Sequence, residues 1–184
     1  MSNLTDFFPS GGGGLTPKFE EFNASGTFTP TQALIDAGGY IEVLLVAGGQ
    51  RGNGQSDGGV GGEVQLVRMN LSSTTGCAIT IGAGGSGSAG ALGGNSTFAG
   101  SSAGGVDITS VGGGVNDLYS GRQNNTLGAN WGGTQSSFGP GQGTFGYGAG
   151  GGYAGIYTAK ANSGQGSNYT QNAGSGYCLI KWYE

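Results

Sequence analysis

Residues 41–71 read "IEVLLVAGGQRGNGQSDGGVGGEVQLVRMNL", two runs of strand-forming residues around a segment made largely of glycine. The first run, with Tyr40, carries apolar residues on both faces, which suits a central strand buried on two sides. The second alternates through Val64 and Leu66 and resumes at Val67, Met69 and Leu71, so one extra residue near Leu66 predicts a bulge. Between two good strands the glycine is either a loose spacer or a structural material in its own right. Fold and function turn on which it is.

Outward from this stretch the β pattern continues. "KFEEFNASGTFTP" alternates around Phe19 and Phe22, turns at Asn23–Gly26 and enters a short strand that ends at Pro30. "TPTQALIDAGG" is the one helix-like fragment, with Thr31 as its cap and Gly38 and Gly39 as its stop. "CAITIGAGG" and the closing "GYCLIKWYE" are further strands, and "STFAG" and "VDITSVGG" are weaker ones. In the closing run Cys178, Ile180 and Trp182 face one way, and Tyr177, Leu179, Lys181 and Tyr183 the other. An all-β fold is expected.

The glycine tracts carry an order of their own. Gly84, Gly87, Gly90 and Gly93 recur at every third position; so do Gly49, Gly52, Gly58 and Gly61, with Gln55 the exception. Gly143, Gly146, Gly152 and Gly155 repeat the spacing, with Ala149 standing in once. A period of three matches an extended left-handed helix, in which one face bears no side chain and backbones can bond sideways to neighbours. Mobile loops are the competing reading, because ordering glycine costs more backbone entropy than ordering any other residue. Collagen is excluded: proline is scarce, 4 residues of 184, and the repeat is local.

Composition removes several classes of function. Glycine supplies 46 of 184 residues, charged residues only 9%, and the net charge is −4, so there is no electrostatic pull toward nucleic acid or anionic membrane. No apolar run is long enough to span a bilayer, so membrane insertion is not expected. The N-terminus lacks the features of a secretory signal, which implies assembly in the cytoplasm of the producing cell. Cys77 and Cys178 lie in strand-like runs and read as buried thiols, with a disulfide left open for a particle that lives outside the cell. With no histidine and two cysteines, no zinc site is expected, nor any cofactor.

Motifs that suggest chemistry lack their context. "GAGGSG" at residues 82–87 fits a dinucleotide fingerprint, but no helix follows it. "GSSAG" at 100–104 resembles a nucleophile elbow, yet no imidazole exists to activate Ser102. Glu20 and Glu21 are adjacent on a strand and face opposite sides, and Asp107 and Asp117 cannot be paired from sequence. No catalytic site is expected.

Two segments stand apart. Residues 1–14 form an apolar cluster, Leu4, Phe7, Phe8 and Pro9, on a glycine tether, which reads as a docking arm or as rings tucked against the chain's own surface. Residues 15–184 form one glycine-rich β-domain. Its second half is studded with Tyr119, Trp131, Phe138, Phe145, Tyr147, Tyr153, Tyr157 and Tyr169 among Gly, Asn, Gln and Ser, a composition shared with antibody paratopes. These rings either contact a receptor or pack between the glycine tracts.

The order of blocks "GTFTP", "YIEVLLVAGG", "GGEVQLVRMNL", "AITIGAGG", "GGNSTFAG" and "GYCLIKWY", over roughly residues 27–184, resembles the glycine-rich domain of bacteriophage tail fibres, tail tips and adhesins. That resemblance implies a β-sandwich, jelly-roll-like frame with glycine-rich inserts packed in part as polyglycine II helices. It further implies a virion component with other virion proteins as partners, a homotrimer or mounted on a trimeric fibre, and a host surface polysaccharide or outer-membrane receptor as target. The aromatic residues would be the receptor contacts and the N-terminal arm the virion anchor. A capsid- or tail-mounted decoration or connector protein without receptor binding is the alternative.

Overall fold

β3 (Tyr40–Val46) and β4 (Val64–Asn70), the two strands of the opening stretch, pair antiparallel from Tyr40↔Asn70 to Val46↔Val64 without interruption in a computed structural model. The structure describes residues 14–52, 59–114, 159–167 and 171–184. The ladder contains no bulge, so the expectation of one near Leu66 is corrected. Val64 and Leu66 lie on one face of β4 and Val67 and Met69 on the other, because apolar residues occupy both faces of this strand. The outer face holds a smaller buried cluster of its own, Val46, Val64 and Tyr177, and a periodicity count cannot separate two apolar faces from a bulge.

The remaining elements among the described residues are β1 (Pro17–Phe22), β2 (Gly26–Phe28), the short helix α1 (Gln32–Asp36), β5 (Cys77–Thr80), β6 (Ser96–Ala99), β7 (Asp107–Ser110) and β8 (Tyr177–Tyr183). A 3-10 turn at Gly100–Ala103 links β6 to β7. All pairings are antiparallel, in two four-stranded sheets ordered β1-β8-β3-β4 and β2-β5-β6-β7. The fold is all-β, as the alternation of residues led us to expect.

The sheets pack face to face. Ile41, Val43, Leu45, Met69, Cys178, Ile180 and Trp182 from the first meet Phe28, Cys77, Ile79, Phe98 and Ile108 from the second. Trp182 and Phe28 touch edge to face, ring centroids 5.3 Å apart. Both cysteines are reduced and buried in this core. One face of β3 is sealed along its length, with Ile41, Val43 and Leu45 fully buried; on the other, Val46 is buried with Val64 and Tyr177, while Glu42 and Leu44 are half-buried and Tyr40 is exposed. At the start of α1 the Thr31 hydroxyl accepts from Leu34 N–H (3.0 Å), and Gly38 and Gly39 end the helix with φ of 100° and 70°.

Strand direction alternates strictly along the chain, and this sorts the connections by length. The helix, residues 71–76 and the 3-10 turn close one end of the sandwich. Residues 47–63, 81–95 and 111–176, the three long glycine-rich connections, all leave from the opposite end. Two buried serines fasten that end: Ser96 Oγ on β6 donates to Val46 O (2.7 Å), and Ser110 Oγ on β7 donates to Leu45 O (3.0 Å).

Candidate functional site

Where β3 ends, residues 47–52 run out of the sheet into the middle of the three glycine-rich connections. Their backbone bonds follow a period of three. Ala47 and Gln50 N–H donate to segment 59–63, at Glu63 O (3.0 Å) and Val60 O (2.7 Å). Gly48 and Arg51 N–H donate to segment 91–94, at Gly94 O (3.0 Å) and Ala91 O (2.9 Å), and Gly49 N–H donates to Gly174 O (2.9 Å). The carbonyls face three further segments: Gly48 O accepts from Gly113, Gly49 O from Gly85 and Gln50 O from Ser167, at 2.8, 2.8 and 3.1 Å. One segment is thus bonded to six neighbours. A strand in a sheet has two, because its groups alternate in one plane; groups that rotate by a third of a turn per residue reach neighbours all round.

The outer segments repeat the spacing among themselves. Gly59 and Gly62 donate to Ser167 and Gly164, and Ala173 and Gly176 donate to Gly85 and Gly82. Approach is so close that side chains are excluded. A Cβ on Gly48 would fall on Ala83 O, one on Gly62 on Ala47 O, and one on Gly93 on Gly48 O. Glycine here is a steric requirement set by a neighbouring carbonyl. The run Gly84–Gly93 does not continue as one helix. Gly87 and Gly90 have φ of 78° and 73° and reverse the chain, and the two arms bond to each other through Gly94 N–H and Ala83 O (2.8 Å).

A few polar side chains complete the bundle. Gln50, buried, accepts from Val60 N–H at Oε1 and donates to Gly90 O from Nε2, both at 3.3 Å. Glu63, also buried, accepts Val111 N–H (2.8 Å), and Asn95 Oδ1 accepts Gly112 N–H (2.9 Å). Every buried side-chain nitrogen and oxygen among the described residues has a partner. Sequence reasoning did not single out Gln50 or Glu63. The available signal was their length: each is a side chain able to reach a backbone group across a tract that otherwise has none.

The eight aromatic residues expected at a receptor, Tyr119, Trp131, Phe138, Phe145, Tyr147, Tyr153, Tyr157 and Tyr169, lie outside the described residues, as do Leu4, Phe7, Phe8 and Pro9 of the arm. Described residues on either side of the aromatic stretch belong to the bundle. Gly113 precedes it, Gly174 follows it, and the turn at residues 161–164, with Ser163 Oγ donating to Lys160 O (2.5 Å), lies between Tyr157 and Tyr169. A shallow hollow opens here, lined by Ala83, Gly84, Ser86, Ala159, Ala161 and Gln171–Ser175, of small side chains, amides and main chain. A second hollow, over Leu44, Leu66 and Leu179 between Glu42 and Lys181, lies on the outer face of the first sheet.

Besides Glu63 and Arg51, whose guanidinium donates to Gly87 O, the ionisable groups of the described residues are few. Arg68 Nε donates to Glu42 Oε1 (2.6 Å), and this bond raises the guanidinium pKa further. The Thr31 hydroxyl donates to Glu184, Trp182 Nε1 does so at 3.2 Å, and these bonds hold the Glu184 carboxyl below its ordinary value. Ser101 N–H, donating at 3.0 Å, lowers Asp107. Burial raises both thiols, Cys178 to about 12. Ser102, in "GSSAG", donates to Ala99 O (3.0 Å) within the 3-10 turn. Among the described residues no three metal-ligating side chains converge, and no helix is long and apolar enough to cross a membrane.

No family model matches the chain, and no curated protein matches it.

Proposed function

We propose that this chain is a structural protein of a bacteriophage particle, a tail-fibre or tail-tip component that meets the host surface through its aromatic-studded glycine segments. The observation that carries the reading is the gathering of three glycine-rich connections at one end of a β-sandwich, bonded there main chain to main chain. Residues on both sides of the aromatic stretch belong to that bundle, so Tyr119 to Tyr169 would be presented from a stiff base. Rings among small polar residues offer contact area at low entropic cost and suit a polysaccharide or an outer-membrane protein. The bundle is read as polyglycine II packing; its support is the three-residue bonding period and the six neighbours of segment 47–52. The frame is read as jelly-roll-like, supported among the described residues by eight strands in two four-stranded sheets with β8 between β1 and β3.

In this reading residues 1–14 anchor the protein to other virion proteins, and several copies on one particle add weak contacts into firm attachment. No bond is made or broken. The particle assembles in the host cytoplasm and acts outside. The second reading, a decoration or connector that touches only virion subunits, draws on the scarcity of charge and the wealth of main-chain surface in the described bundle.

The test is binding of the fluorescently labelled full chain to bacterial cells and to their extracted surface polysaccharide. Saturable binding that falls at least tenfold when Trp131 and Tyr147 are changed to Ala supports attachment. Absence of binding by a protein that still enters particles supports the connector. New reducing ends after incubation with the polysaccharide would overturn the non-catalytic reading.

A further inference from the structure

β1 is, with β4, one of the two edge strands of the sheet β1-β8-β3-β4, and its register leaves it equipped to pair again. Thr16 and Glu184 exchange both backbone bonds, at 2.7 and 3.1 Å. Antiparallel alternation then turns the groups of Lys18, Glu20 and Phe22 toward β8 and those of Phe19 and Glu21, with the Pro17 carbonyl, to the outside. Proline falls where β8 needs no N–H. Pro17 to Glu21 are all exposed, Phe19 to 69%. Among the described residues nothing pairs with this outer edge.

We propose that the edge binds a second copy of this chain, β1 against β1, antiparallel about a twofold axis at Phe19. Phe19 then exchanges both bonds with the partner's Phe19, and Glu21 N–H donates to the carbonyl of the partner's Pro17. The intervening pairs set Lys18 opposite the partner's Glu20, twice over by symmetry. Charge selects this register. Only registers that match outward-facing groups are open, and they differ by steps of two. One step either way places Lys18 against Lys18 or Glu20 against Glu20 on the axis, and like charges directly opposite are destabilising. Lys18 is already drawn to the core-side face by Glu184, 3.7 Å away, on the side where Glu20 stands. The contact is twofold, in place of the threefold assembly that the family resemblance implies, and it is independent of the attachment reading.

Sedimentation equilibrium of the full chain over a concentration series tests it, with circular dichroism as the check on folding. A monomer–dimer equilibrium is expected. Lys18→Glu and Glu20→Lys each weaken it about tenfold or more, and the double reversal restores it. A monomer at every concentration, a trimer, a dimer indifferent to both reversals, or a double reversal that fails to restore pairing would each overturn the proposal.

Discussion

Gly48 condenses the argument into one residue: its N–H and C=O bond to two different segments, and its missing Cβ is the space taken by Ala83 O. Gly48→Ala forces the two backbones apart and is expected to lower unfolding free energy by roughly 1–3 kcal/mol. Gly14, with open space around its Cα, accepts alanine within about 0.5 kcal/mol. Urea titration of the two variants checks the contrast; equal midpoints would show that the approach is not tight. A second residue-scale expectation concerns pH. Burial pushes the Cys178 thiol up to about 12, above its value of about 9 in an unfolded chain. The folded protein therefore holds a proton that the unfolded chain gives up. The associated stability is fully present below about pH 9 and is lost as pH rises toward about 12. Stability measured from pH 8 to 10 should fall more steeply for the native chain than for Cys178→Ala, and a thiol reagent should reach Cys178 only on unfolding.

Among elements, the strands were the legible part. The alternation of "YCLIKWY" assigned Cys178, Ile180 and Trp182 to the core side, where they are. The cap at Thr31 was visible for a similar reason: a side chain bonding three residues ahead is a local event. The bulge expected near Leu66 failed because Val64 and Leu66 look inward by composition and lie on the outer face in the ladder. Which serines matter was not legible at all. Ser96 reads only as the first residue of a weak strand, yet β6 brings it against β3, where it donates to Val46 O and accepts Gly82 N–H (2.9 Å). Ser96→Ala leaves both groups buried without that partner, and a loss of about 1–3 kcal/mol in the urea unfolding free energy is expected. An unchanged value would show that this hydroxyl does not hold strand and bundle together.

Over the whole molecule, the design separates a core of methyl groups and rings from a second solid made of peptide bonds. The bundle should therefore exchange like a sheet and unlike a linker. Amides of Gly48, Gly49, Gln50, Gly113 and Gly174 are expected to exchange with deuterium about as slowly as those of β3 and β8, and Gly14 at the rate of an open chain. Fast exchange at those five amides would leave the aromatic stretch without a stiff mount. Of the glycines spaced by three, Gly49, Gly84 and Gly93 stand where a Cβ would meet a neighbouring main chain, whereas Gly87 and Gly90 take positive φ and turn the chain. Strand content was legible in the sequence itself, from the alternation of the residues. What tertiary structure alone decided was partnership: that 47–52 takes the centre, that Gly87 and Gly90 fold one run back on itself, that Gln50 and Glu63 reach across. A glycine can state that a backbone may come close. It has no side chain with which to say which one, so that choice is left to the strands that bring the segments to one end of the sandwich.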